Sequence, residues 1–416
     1  MILIISDPVD AHVRLIEQRL KEKGARVVRF DLAEVPREAA VSSWLEDGAP
    51  TRIAARRERG DFDLSQVTTV WFRRCHAVKP EPELVPEDKE FVTKEATAML
   101  MSLALTLGDR FCVNPIALGM ATDRGNGKVS QLDVARKRGL SIPRTLATND
   151  PEAARDFLRS CPDGAIYKPF VPPTRIEDGP GGEQRVQTIF TTKLDAASLA
   201  KIEGVRFAPC IFQEYVAKKL ELRVTVMGNK VFATEIHSQV SEKSAIDFRA
   251  HYDLANTPYF THELPRDLVE KLLHVHRDLG LIFGAYDFIL TPEGKYVFLE
   301  VNQQGQFLWL EGQTGQPLLE NFCELLIQAR PDFVCDAEPH EPGLPDLPDL
   351  DPVSVRQIAE AERASSKPLA SRRKTKPRAA RVQNDARRAG GRRREKGTGK
   401  GKESKQLKGK GKGKGQ

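Results

Sequence analysis

The sequence predicts an α/β fold in three parts: an N-terminal α/β layer, then a central and a C-terminal α+β lobe. Three observations carry this. The chain opens as strand, helix, strand, with ILIIS at 2–6, apolar residues at helical spacing over 11–23, and a second strand at 26–30. From Gly125 the pattern changes to a Gly-flanked helix, GNGKVSQLDVARKRGL, and a second helix capped near Asp150 with Pro151 in its first turn. Beyond Gln213 come paired strands closed by a Gly-Asn turn and by TPEGK.

Taken in order, VTTVWFRR at 67–74 reads as another strand, residues 87–107 as a long helix whose LMSLAL stretch is expected to be buried, and FCVNP as a return into the sheet. These place a first domain at 1–114, a central lobe at 115–212 and a C-terminal lobe at 213–333. No G-x-G-x-x-G follows the first strand and no G-x-x-x-x-G-K-[ST] occurs, so a nucleotide would bind outside the first domain or in another way. IYKPF at 166–170 is a strand, and the Gly-rich stretch 172–185 reads either as an ordinary hairpin loop or as a mobile cover for phosphates.

The formal charge of +6 conceals a division. Arg363–Gln416 holds 21 Lys+Arg against 3 Asp+Glu, which leaves the rest of the chain acidic. With almost no large apolar residues, 363–416 is expected to be a disordered basic tail, reached through an acidic, Pro-rich linker within 334–362. The six cysteines form no C-x-x-C pair, no run reaches 18 apolar residues, and MILIISDPVD has no basic segment ahead of an apolar one. Free thiols, a cytoplasmic location and no membrane partner are the expectation.

Several charged residues stand in apolar company. Lys128 lies in the first turn of its helix, where anions are favoured, and Lys168 inside IYKPF must meet an anion or point to solvent. Glu221 and Arg223 share a strand face, and an ordinary cross-strand ion pair is the alternative explanation for them. Asp287 and Glu300 interrupt apolar strands, with Asn302 two residues beyond Glu300 on the same face. Two such acids repel unless a cation joins them, and Mg²⁺ suits these hard oxygens. Separately satisfied polar residues are the alternative.

Lys128, Lys168, the QEYV segment at 213–216, Glu221-Leu222-Arg223, Asp247-Phe248-Arg249, Asp287, Glu300 and Asn302, in this order, resemble the ATP-grasp ligases over about 1–333. VWFRR, LATNDPE and LEVNQQGQFLWLEGQTG are most similar to the microviridin-type peptide maturases, or graspetide synthetases. The resemblance implies an ATP-grasp fold with a pre-ATP-grasp domain and ATP between the last two lobes. Lys128 and Lys168 would contact phosphates, Gln213, Glu214, Tyr215 and Val216 adenine, and Glu221 the ribose. Asp287, Glu300 and Asn302 would hold Mg²⁺, and Arg249 with Arg223 would neutralise the transferred phosphoryl oxygens. It implies, further, that Asp/Glu side chains of a ribosomal precursor peptide become acyl phosphates and are joined to Ser/Thr hydroxyls or Lys amines. Three positions depart from the family pattern: Gly127 where Asn is common, Phe248 in place of Trp, and Gln303 in place of Pro.

Arg73 and Arg74 point to opposite faces of their strand, so one of them is a candidate for a substrate carboxylate and surface solvation is the alternative. His237, His251, His274 and His276 match no zinc spacing. Two other functions stay open. One is an amino-acid ligase like the ribosomal-protein glutamate ligases; the other is a polyanion- or nucleic-acid-binding protein acting through the tail, which also suits an acidic peptide. A homodimer is compatible with either.

Overall fold

The structure, a computed structural model, describes residues 1–8, 10–73, 77–115, 127–170, 174–178, 184–188, 191–240 and 257–343. Arg74, Asp247–Arg249 and the tail fall outside these residues.

The first part runs β1 (Ile2–Ile5), α1 (Ala11–Glu22), β2 (Val27–Phe30), β3 (Ala39–Trp44), β4 (Arg52–Arg57), β5 (Phe62–Asp63), β6 (Thr69–Phe72), α2 (Pro86–Thr106) and β7 (Phe111–Val113). Its main sheet has the order β2-β1-β6-β7, all parallel, and β3-β4-β5 form a separate antiparallel sheet. Strand alternation divides the parallel sheet's residues between two cores. Leu3, Ile5, Val70 and Phe72 meet residues of β3–β5 and α2, whereas Ile2, Ile4 and Trp71 join Val13, Ile16 and Leu20 of α1.

The expectation that LMSLAL is wholly buried is not met. On α2 only Leu100 and Leu103 are buried, and Leu107 follows at the same spacing, while Leu105 is 60% exposed. The helix lies along one side of the sheet, so a single i, i+3, i+7 stripe reaches the core.

The chain continues through α3 (Lys128–Lys137), β8 (Thr145–Thr148), α4 (Pro151–Arg159), β9 (Ala165–Lys168), β10 (Thr174–Asp178), β11 (Gln184–Thr188), β12 (Thr192–Lys193), α5 (Ala196–Leu199) and β13 (Cys210–Glu214). Asp150 caps α4 by accepting from the Glu152 amide. β12-β9-β13-β8 form an antiparallel sheet, and within the Gly-rich stretch β10 pairs antiparallel with β11; residues 179–183 lie outside the described residues.

The last part comprises β14 (Leu220–Met227), β15 (Lys230–Ile236), β16 (Tyr259–His262), α6 (Arg266–Asp278), β17 (Phe283–Leu290), β18 (Tyr296–Asn302), α7 (Leu308–Thr314) and α8 (Leu318–Gln328). Its antiparallel sheet has the order β16-β15-β14-β17-β18. Leu222, Val224, Tyr286 and Phe288 face α6 through Leu272 and Val275. Two packings cross the lobe boundaries drawn from sequence. α3 buries Leu132 and Ala135 in this last core, and the Gln131 side chain exchanges two 3.0 Å hydrogen bonds with the Val301 backbone. α8 returns to the first sheet, where Phe322 meets Trp71 edge-on at 4.9 Å and Thr69 Oγ1 donates to the Leu326 carbonyl. The start of the expected linker is docked rather than free, since the His340 amide donates to the Gly315 carbonyl and Lys230 Nζ to that of Cys335.

Candidate functional site: a charged row beside a partly open cleft

Register builds the site. Arg223 on β14 is opposite Asp287 on β17, and Asp287 is opposite Glu300 on β18. Between Asp287 and Phe288 the pairing slips, so Phe298 pairs with Phe288 and Leu299 is the extra residue. The bulge lets Phe298 stay in the apolar core while Leu299 and Glu300 both line a cleft. The result is a lateral row of cation, acid and acid across three strands.

Each acid already has a cation. Arg223 Nη1 donates to Asp287 Oδ1 at 2.8 Å, and Lys128 Nζ lies 3.7 Å from Glu300 Oε2 while donating to the Pro169 carbonyl. Side chains from β14 and from the start of α3 thus place a positive charge beside each acid. A divalent ion would compete with these side chains. Asn302, opposite Ala285 and exposed, accepts from the Gln304 amide through Oδ1 and would turn to offer that oxygen elsewhere. Two carboxylates on facing strands with a nearby amide oxygen are a hard-oxygen set that fits Mg²⁺, although among the described residues no three His, Cys, Asp or Glu converge as a metal site.

A narrow cleft, partly open to solvent, lies beside this row. Lys168 from β9, 213–216 at the end of β13, Glu221, Asp287 and Glu300 all line it. Lys168 is buried at 8% exposure. Gln213 is 2% exposed; its Nε2 donates to Thr145 Oγ1 and its buried Oε1 meets no partner among the described residues. An amide oxygen left without a donor at the wall of a cleft suits a ligand with an N–H group. Glu214 turns its carboxylate to the Arg144 amide, and the Lys193 ammonium stands 3.7 Å over the Tyr215 ring. Glu221 Oε1 accepts from Lys218 Nζ at 2.7 Å and from Ser238 Oγ at 2.9 Å.

Sequence reasoning missed Lys218 and Ser238. Lys218 stands beside a second lysine three residues before Glu221, and the strand pattern does not say which of the two turns inward. Arg73 is neither solvated nor part of the cleft: it is 1% exposed, its Nε donates to Asp10 Oδ2 at 2.8 Å, and its Nη1 donates to the Gln304 carbonyl. Of the four histidines named from the sequence, His251 lies outside the described residues. His237 and His262 both engage Glu235, and His276 Nδ1 lies 2.8 Å from the Tyr286 hydroxyl.

Residues 1–118 match the family described as the MvdD pre-ATP grasp domain. Among solved structures, macrocyclase MdnC from Microcystis aeruginosa MRC, bound with precursor peptide MdnA, is 28% identical, with a TM-score of 0.65 over 79% of this chain and 99% of that one. A RiPP-associated ATP-grasp ligase from Chryseobacterium gregarium, in complex with ADP and a leader and core peptide, is also 28% identical, with a TM-score of 0.70 over 80% and 98%. A curated relative, the probable alpha-L-glutamate ligase of Vibrio atlanticus (strain LGP32), is 20% identical over 247 residues, 58% of this chain and 75% of that protein. The fold matches that of the ATP-grasp ligases. The match of residues 1–118 to the MvdD pre-ATP grasp domain and the likeness of the chain to a peptide-bound macrocyclase and a RiPP-associated ligase agree with that fold. Among the described residues no helix is long and apolar enough to cross a membrane.

Proposed function

We propose that this chain is an ATP-dependent peptide macrocyclase, which activates Asp/Glu side-chain carboxylates of a ribosomal precursor peptide as acyl phosphates and joins them to Ser/Thr hydroxyls or Lys amines. The observation that carries the reading is the Arg223, Asp287, Glu300 row beside a cleft that also gathers Lys168 and 213–216. When bound, ATP supplies the phosphoryl group and Mg²⁺ offsets phosphate charge.

The remaining roles belong to the chain. Lys168 and Lys128 hold phosphates from β9 and the start of α3. The 213–216 segment takes the base and Glu221, fixed by Lys218 and Ser238, the ribose. Asp287 and Glu300, with Asn302, are the metal ligands. Arg223 and Arg249 neutralise the reacting oxygens; Arg249 lies outside the described residues. No protein nucleophile is required. The nucleotide lies between 115–212 and 213–333 in this reading.

Incubation of the purified chain with ATP, Mg²⁺ and synthetic peptides that combine Asp/Glu with Ser, Thr or Lys tests it. Loss of one water per bond in the peptide mass, with ADP released, is the expected result. A gain of one glutamate residue in an acceptor would identify the amino-acid ligase suggested by the curated relatives, and ATP hydrolysis without a change in peptide mass would defeat both.

A further inference from the structure

In open parallel sheets, ligands bind outside the carboxyl ends of the strands where the strand order reverses. The first sheet, ordered β2-β1-β6-β7, has that point between β1 and β6. Ser6 and Asp7 follow β1 there, Arg73 follows β6, Asn114 follows β7, and all four are buried. The structure fills this place with its own chain, the loop 303–307 that leaves β18 directly after Asn302.

The stitching is extensive. Arg73 Nη1 donates to the Gln304 carbonyl at 3.1 Å, and Gln304 Nε2 returns a bond to the Arg73 carbonyl. Asn114 Nδ2 donates to the Gln303 carbonyl at 3.0 Å. His12 Nε2 accepts from the amides of Phe307 and Leu308, both at 3.1 Å. Asp10 caps α1 through one oxygen and holds Arg73 through the other. The same loop lies against the charged row: Arg223 Nη2 donates to the Gln306 carbonyl, and a Cβ at Gly305 would stand 2.5 Å from both Arg223 Nη2 and the Ala285 Cβ.

We propose that the N-terminal domain uses its ligand crevice as a clamp for loop 303–307, and that Arg73 is thereby a positioning residue for Arg223. This rests on the macrocyclase reading for the reaction that Arg223 serves. It explains a buried guanidinium that does not line the cleft, and why the first domain carries no nucleotide fingerprint: the crevice is occupied from within.

The test compares Arg73→Gln, Gly305→Ala and the double variant with the wild-type full chain, by peptide-dependent ADP release, by Mg²⁺-dependent binding of a non-hydrolysable ATP analogue, and by thermal melting. Gly305→Ala covers the case in which Arg73→Gln does not fold. Each single variant is expected to lose roughly 100-fold in kcat, the cost of a displacement of about 1 Å in a reacting group, with nucleotide Kd within about threefold of wild type and the double variant no worse than the more impaired single. Wild-type kcat in a folded Gly305→Ala protein, or losses that multiply in the double variant, would overturn the clamp. A wild-type chain that releases no ADP with any peptide would instead defeat the macrocyclase reading, and the clamp with it as a catalytic device.

Discussion

At the residue scale, the pairing of each interior acid with its own cation is what most shapes the account. Asp287 holds the Arg223 guanidinium and Glu300 approaches Lys128, so the row is electrostatically closed in the absence of a ligand. Removing one partner leaves the other charge poorly solvated; Asp287→Ala is expected to lower stability by roughly 1–3 kcal/mol, read from chemical denaturation, and an unchanged midpoint would deny the pair a structural role. A different residue sets pH behaviour. Burial holds His276 down to about 4 from an ordinary 6.5. Between those values the unfolded chain takes up a proton that the folded chain refuses, so stability falls as pH drops from 6.5 toward 4. Melting temperatures of His276→Gln across that window should slope less steeply than wild type; equal slopes would place the effect elsewhere. The identities of the charged residues were legible because each breaks an apolar pattern. Their partners were not, because Arg223 and Asp287 meet through strand register, and Lys128 meets Glu300 through a helix that crosses between lobes.

At the element scale, most strands and helices follow from local pattern: the Asp150 cap, the apolar alternation of β14 and the TPEGK turn all stand where the sequence puts them. The bulge after Asp287 was hidden, since periodicity alone would put Phe298 and Glu300 on one face and only pairing with β17 shows otherwise. The apolar run of α2 misled because composition says nothing about how many neighbours a helix has. Tertiary docking of the 334–343 segment was likewise invisible in its Pro-rich acidic composition. Gly315 tests that docking. Its φ is +70° and an added Cβ would lie 1.7 Å from the His340 carbonyl oxygen, so Gly315→Ala should destabilise by more than about 1 kcal/mol. Limited proteolysis within 334–343 should accelerate at the same time, and unchanged digestion would show that the docking carries no weight.

At the scale of the whole molecule, the lobes drawn from sequence are tied by elements that cross their boundaries. α8 completes the core of the first sheet, α3 covers the edge of β18, and Asn114 spans the first and last parts. Asn114 Oδ1 accepts from the amides of Ile282 and Phe283, both at 2.8 Å. Asn114→Ala would strand one buried and one part-buried donor and is expected to cost at least about 2 kcal/mol, with the first and last parts melting together; separate transitions would show independent domains. The basic stretch from Arg363 to Gln416 contrasts with an acidic remainder. Its deletion is expected to weaken binding of a polyanion such as heparin and to flatten the salt dependence of that binding, while Mg²⁺-dependent nucleotide binding stays unchanged.

The central claim is that the Asp287 and Glu300 carboxylates, facing each other across β17 and β18, hold a divalent ion that brings ATP into the cleft. Calorimetric titration of a non-hydrolysable ATP analogue into the full chain, with and without Mg²⁺, tests it most directly beside the Asp287→Asn/Glu300→Gln double variant. The account predicts binding that requires Mg²⁺ in the wild type and weakens at least tenfold in a double variant that still melts cooperatively. Equal affinity with and without the ion, or an unimpaired double variant, would contradict it.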